Sequence, residues 1–227
     1  MNDPTALILA TDLSRRHPQG DGWLLDHISL AIRAGSSLSI SGPSGSGKTL
    51  LLRALALLDP LEAGEIHFEG RLVDRTWIPH FRGQVVYMHQ RPMLLANRVE
   101  AALRLPYALE IHRRRSFDRK RTAEMLRRLG REETFLDKLV SELSGGESQL
   151  VALLRAIQLD PKVLLLDEPT AALDAAATAA VKNLVGDWLA ESPDSRAAVW
   201  VTHAADQARR VAERTLMIEQ GRIENGE

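Results

Sequence analysis

At 227 residues and 25.2 kDa, the chain is long enough for one large domain, or for a core carrying one sizeable insertion. Its 29 Lys and Arg against 30 Asp and Glu give a formal charge of −1, a balance that does not recommend nucleic acid as the default partner. The absence of cysteine excludes disulfides, thiolate metal sites, iron–sulfur clusters and cysteine nucleophiles, and permits a reducing compartment.

The opening MNDPTALILATDLSRR lacks the basic leader and long apolar region expected of a secretory signal. No apolar run approaches the ~20 residues a membrane helix needs, so any work at a membrane is expected from the water side. Apolar runs at 6–9 and 28–32, separated by a polar, glycine-containing stretch at 15–22, predict a β-rich entry. Residues 37–41 alternate polar and apolar, a strand pattern that runs straight into GPSGSGKT at 42–49. Helix formers follow as far as Pro60, where a helix must stop. Further β structure is predicted at 64–73 and at 83–88, the latter ending at His89 and Gln90. Leu, Ala, Glu and Arg at helical spacing dominate 97–138, which places a helical insertion at 91–150 between two β-containing halves, 1–90 and 151–227. The apolar run VLLL within 162–166 leads into Asp167 and Glu168, as expected for a buried parallel strand with acids at its carboxyl end. A helix at 175–191, a strand at 197–201 ending in Thr202 and His203, and a strand at 215–219 complete the series. Helices alternating with apolar strands argue an α/β sheet, with polar residues gathered at strand ends where the ligands of such sheets bind.

Three motifs carry chemistry. Gly42-Pro43-Ser44-Gly45-Ser46-Gly47-Lys48-Thr49 fits GxxxxGK[ST] in the required strand-to-helix setting. Its glycines let backbone N–H groups curl around phosphate and the helix start adds a positive dipole end. Lys48 can reach β- and γ-phosphates, and Thr49 offers a hydroxyl to Mg²⁺. An ordinary Gly/Ser turn would not require the full eight-residue match. In LLLDEPT, Asp167 can hold Mg²⁺ through water and Glu168 can polarise an attacking water; the plain alternative is two solvated acids at a strand-end turn. In LSGGE, Ser144 and Glu147 have capping-box spacing, which alone would explain both, yet a helix start with Gly145 and Gly146 is also an anion site and invites a second phosphate contact.

GPSGSGKT, Gln90, LSGGE, VLLLDEPT, AALD and VTH, in that order, resemble the ATP-binding subunit of an ATP-binding cassette (ABC) transporter over about residues 5–224. The resemblance implies an α/β P-loop NTPase fold with an N-terminal antiparallel β subdomain and an inserted helical subdomain, the whole forming a single ATP-binding domain. It implies an ATPase that forms a head-to-tail homodimer, with Ser144, Gly145 and Gly146 of one copy closing on the γ-phosphate of ATP held by the P-loop of the other. Glu168 would be the catalytic base, Thr49 and Asp167 would serve Mg²⁺, and His203 would contact the γ-phosphate and orient the water. Gln90 would touch Mg²⁺ and the water and shift with the membrane subunits; unaided, it reads as a loop residue. Asp174 resembles the loop that crosses the dimer, and alone it reads as a helix N-cap; His203 alone reads as a surface or capping histidine. The implied partner is an integral membrane permease docked at the insertion near 90–98, which would keep the chain peripheral on the cytoplasmic face of the inner (cell) membrane.

Some positions depart from the family pattern. The aromatic that stacks on adenine aligns with His17, with Trp23 as the nearby alternative, and an imidazole offers less stacking area than tyrosine. Leu150 replaces a frequent basic residue after Gln149, and Ala171 a frequent serine. Residues 113–131 hold nine Lys and Arg and two acids, explained first as a solvated helix face and second as attraction to anionic lipid or permease loops. Nucleic acid comes last, because stacking aromatics make up only 4% of the chain. Little chain follows His203, so the extra C-terminal regulatory domain of some importers is not expected. That leaves small importer, exporter or lipoprotein-extraction subunits; FRGQVVYMHQRP and LRLPYALEI weakly resemble FetA-like subunits of an iron-export system, which makes iron export one option, while substrate identity resides in the membrane partner. The rival class is a soluble ABC ATPase acting on nucleic acid or ribosomes, whose members usually carry tandem cassettes, coiled coils or zinc-binding cysteines. A P-loop kinase or GTP switch does not account for LSGGE or for Glu168.

Overall fold

A computed structural model describes residues 6–18, 20, 22–202 and 212–224. In chain order its elements are β1 (Ala6–Arg16), β2 (Trp23–Arg33), β3 (Ser37–Ser41), α1 (Lys48–Leu55), β4 (Ala63–Phe68), β5 (Arg71–Leu72), α2 (Ile78–Gln84), β6 (Val85–Met88), α3 (Val99–Arg104), α4 (Arg119–Arg128), α5 (Gly145–Ile157), β7 (Val163–Asp167), α6 (Ala175–Ala190), β8 (Ala197–Val201), β9 (Arg214–Glu219) and β10 (Arg222–Glu224). They form an antiparallel sheet of order β2-β1-β4-β5 and a second sheet of order β10-β9-β3-β8-β7-β6, parallel except for β10. The α/β class, the antiparallel entry and the helical insertion read from the sequence are all present.

The parallel strands alternate their side chains between two apolar clusters. Val163 and Leu165 of β7 and Ala197, Val199 and Val201 of β8 face β1, β2 and α1, packing with Ile8, Leu13, Ile32, Leu51 and Leu55. Their neighbours Leu164, Leu166, Ala198 and Trp200 face the helices, packing with Leu103, Leu126, Leu153 and Val185. A strand buried on both faces needs a continuous apolar run, which is why VLLL was legible as parallel strand. The helix α5 runs through residue 150 and rests on this sheet, so the helical insertion and the sheet share one cluster.

Three segments differ from the periodicity reading. Strands β1 and β2 are longer than their apolar runs because bulges break the alternation: Asp12 and His27 both sit at positive φ, and their side chains bond each other at 2.5 Å. The segment 83–88 is strand only from Val85, since Gly83 and Gln84 finish α2, where a Cβ on Gly83 would stand 2.7 Å from Ile111 Cγ1. The predicted helical stretch 97–138 is split into α3, 3₁₀ turns at Leu105–Ala108 and Glu110–His112, α4, and a further 3₁₀ turn at Glu133–Asp137. Pro106 opens the first of those turns and Gly130, at positive φ, follows α4. Among the described residues no helix is long and apolar enough to cross a membrane.

Strands β3, β8 and β7 are adjacent and parallel, with Ile40 and Asp167 both in register with Val201. Their carboxyl ends therefore share one edge, and the glycine loop after β3 meets the acids after β7 there.

Candidate active site

The loop between β3 and α1 is shaped by close approaches. A Cβ on Gly42, at φ 149°, would run into the Ile218 carbonyl of β9, so only glycine fits. Lys48 is only 5% exposed, and its ammonium donates to the carbonyls of Gly42 at 2.8 Å and Pro43 at 2.7 Å. Burial pushes its pKa below the ordinary lysine range, while the carboxylates of Glu168 and Asp167 pull it back up. A cavity of about 440 Å³ opens here, with Ser44, Gly45, Lys48, Thr49, Gln90 and Glu168 in its wall.

Asp167 closes β7 and is fully buried. One of its oxygens accepts from Thr49 Oγ1 at 3.1 Å and the other from the Tyr87 hydroxyl at 2.9 Å. Burial first, and then the Asp167 charge, push the Tyr87 phenol well above the usual tyrosine range, so it stays a donor. Glu168 turns the chain out of the strand at φ 48°, and its N–H donates to the Val201 carbonyl at 3.1 Å. Gln90 Nε2 donates to Glu168 Oε2 at 2.7 Å. Behind this pair, Gln149 Nε2 donates to the carbonyls of Gln90 and Glu168, both at 3.2 Å, while its Oε1 accepts the Ala172 N–H at 3.1 Å. The buried Asp167 carboxylate beside the Thr49 hydroxyl is a set of hard oxygen donors that suits Mg²⁺.

The start of α5 lies elsewhere. Ser144 and Glu147 form the full capping box, with bonds of 2.9 and 3.1 Å, and Lys138 Nζ binds both Glu147 oxygens at 2.9 and 3.0 Å. Gly146 is pressed against residues 172–173: an added Cβ would lie 2.7 Å from the Ala172 carbonyl oxygen. Ser144, Gly145 and Gly146 are absent from the wall of the P-loop cavity. Asp174 caps α6, its Oδ1 accepting the Ala177 N–H at 2.7 Å.

His17 and Trp23, the two adenine-contact candidates, are not in the wall of the P-loop cavity. His17 sits at the β1–β2 turn, its N–H on the Gly22 carbonyl at 2.9 Å. Trp23 lies under the Arg16 guanidinium at 4.8 Å and borders a different cavity with Asp26 and Arg222. Alternation along β2 sends Leu24 the other way, and Leu24 is the β2 residue in the P-loop wall. His203 lies outside the described residues. Sequence reasoning missed Tyr87, which carries no local motif, and Gln149, which the spacing LSGGxxQ could have flagged.

Strand, glycine loop, buried acid and Gln-held glutamate on one sheet edge define a P-loop nucleotide-binding cassette. Residues 25–171 match the family described as ABC transporter, and the chain belongs to that family. It is 36% identical over 218 residues to the probable sulfate/thiosulfate import ATP-binding protein CysA of Chlorella vulgaris, covering 95% of this chain and 89% of that one. It is 37% identical over 188 residues to the probable iron export ATP-binding protein FetA of Escherichia coli K12, covering 83% and 81%. Against the sulfate/thiosulfate import ATP-binding protein CysA of Nephroselmis olivacea, 36% identical over 88% of this chain, it spans only 57% of the relative's length. The fold superposes with a TM-score of 0.85 and 28% identity, over 97% of both chains, on a dimeric post-hydrolysis state of the ATP-binding cassette MJ0796 bound to ADP and Pi. Its class is thus an ATP-binding ABC ATPase.

Proposed function

We propose that the chain is the ATP-hydrolysing subunit of a transporter, closing on a second copy around ATP and Mg²⁺ to drive a separate membrane permease. The observation that supports the dimer is the position of the Ser144–Gly146 tip: it is ordered by its own capping box yet stands outside the wall of its own P-loop cavity. A phosphate contact from that tip then has to reach the P-loop of another copy, and MJ0796 is a dimer in both of its matching structures. ATP between two faces that each offer backbone donors favours the closed state, and hydrolysis releases it.

In this reading Gly42 to Thr49 cradle the phosphates, and Lys48 exchanges the Gly42 and Pro43 carbonyls for phosphate oxygens. Thr49 and Asp167, with Gln90 close by, would hold Mg²⁺, which when bound would neutralise phosphate charge. Glu168 takes the proton of the attacking water, and Gln90, bonded to its carboxylate, orients both. Tyr87 and Gln149 keep Asp167, Gln90 and Glu168 in place. His203 completes the contact to the γ-phosphate, and Asp174 crosses the dimer while capping α6. His17, or Trp23 near it, at the β1–β2 turn would stack on the adenine.

The relatives named above serve sulfate/thiosulfate import and iron export at nearly equal identity. Cargo and direction therefore belong to the permease, with iron export retained as the finer reading. The subunit would sit peripherally on the cytoplasmic face of the cell membrane. Purifying the tagged chain in mild detergent tests this: an integral membrane protein should be retained whose presence raises ATP turnover. Retention of nucleic acid or ribosomes without a membrane protein would replace the transporter reading by the soluble one.

A further inference from the structure

The tip of α5 carries a charge conflict. Its third residue, Glu147, sits in the first turn, where the dimer proposed above, on which this inference rests, brings a nucleotide phosphate held by the second copy. A helix start favours an anion, but a carboxylate already placed there repels another. The capping box does not require that charge, because glutamine at the same position closes it equally well. Another group has to make the tip acceptable to phosphate.

Lys138 does so from outside the helix. Its ammonium donates to Glu147 Oε1 at 2.9 Å and to Oε2 at 3.0 Å, while Oε2 also accepts the Ser144 N–H at 2.9 Å. Burial by itself would raise the Glu147 pKa. The Ser144 N–H and the Lys138 ammonium outweigh it and hold the carboxyl below the usual carboxylate range, so Glu147 is ionised at neutral pH. Lys138 is itself well fixed: its carbonyl accepts the Val99 N–H at 3.1 Å, its N–H donates to the Phe135 carbonyl at 3.3 Å, and its ammonium lies 5.8 Å from the centre of the Phe135 ring. Ser144 Oγ accepts the Glu147 N–H at 3.1 Å, and a hydroxyl that accepts in this way can still donate its own proton to a phosphate oxygen.

We propose that Lys138 is a positioning residue for the phosphate contact between copies: it cancels the charge of Glu147 and holds that carboxylate on the Ser144 N–H, so that the tip of α5 can meet the γ-phosphate on the other copy's P-loop. The two side chains are 33% and 16% exposed, and an ion pair at such a surface adds little to folding. Its loss is therefore read in association of the two copies and not in the stability of one.

The test uses the full chain in a Glu168→Gln background with ATP and Mg²⁺ at saturation, and reads the monomer–dimer equilibrium by sedimentation. Lys138→Met, which removes the ammonium and keeps most of the stem, should weaken dimerisation about tenfold or more, because each dimer carries two such tips. Adding Glu147→Gln to Lys138→Met should bring dimerisation back to within about threefold of the parent, since the amide keeps the cap without the charge. Added salt should narrow the gap between the parent and Lys138→Met by screening the exposed carboxylate. Retained ADP binding and an unmoved unfolding midpoint report an intact monomer. Dimerisation of Lys138→Met equal to that of the parent, a loss that Glu147→Gln does not repair, or a gap that salt leaves unchanged would overturn the proposal and leave the dimer standing. A parent that stays monomeric with ATP would remove the dimer reading, and the proposal with it.

Discussion

The two phosphate-facing parts of this cassette are held together in opposite ways. At the sheet edge, Thr49, Tyr87 and Asp167 bond across gaps of 118 and 80 residues, and Gln90 reaches Glu168 across 78. At the tip of α5, Ser144, Glu147 and Lys138 lie within nine residues of one another. The first part exists only if the strands β3, β6 and β7 are in register, whereas the second is a local helix start that would order wherever α5 does. Neither completes the other inside one chain, and that separation is the physical basis for the proposed dimer.

Variants can break this contrast one part at a time. The largest expected effect is at the edge: Glu168→Gln should leave ATP binding intact and lower turnover ~10²-fold or more, the contribution typical of a positioned base. It should also yield an ATP-stable dimer on gel filtration. Unchanged turnover would remove Glu168 from that role. Tyr87→Phe strips a donor from the fully buried Asp167 and should cost about 1–3 kcal/mol of stability, read from denaturant midpoints. It should also raise the Mg²⁺ concentration for half-maximal activity; an unchanged Mg²⁺ requirement would show that the hydroxyl does not position the carboxylate. The smallest effect is at the tip, where Ser144→Ala removes a cap worth about 0.5–2 kcal/mol. That variant should bind ATP as well as the parent when monomeric and lose part of its dimerisation. Weakened ATP binding by the monomer would mean the two parts are coupled within one chain.

The same contrast explains what could be read in the sequence. GPSGSGKT and VLLLDE were legible because each is a local solution to a local demand: a loop of backbone donors, and a strand buried on both faces. Ser144 with Glu147 was legible as a cap for the same reason. Tyr87 was not, because its partner Asp167 is a sheet neighbour and not a chain neighbour. The pleat of β2, which puts Leu24 in the wall of the P-loop cavity and Trp23 in that of another, was announced by no local motif. The helical insertion was legible in kind but not in detail, since Pro106 and Gly130 cut one apparent run into short pieces. The bulges at Asp12 and His27 likewise hid the true length of β1 and β2.

With no native cysteine, the chain is a clean background for crosslinking. One chain carrying Ser44→Cys and another carrying Ser144→Cys, both with Glu168→Gln, are mixed under mild oxidation with and without ATP and Mg²⁺. A disulfide-linked species of two chains should form only when both variants and ATP are present. Failure to link with ATP bound, or a link formed within a single chain carrying both cysteines, would contradict the closing of one copy on the nucleotide of the other.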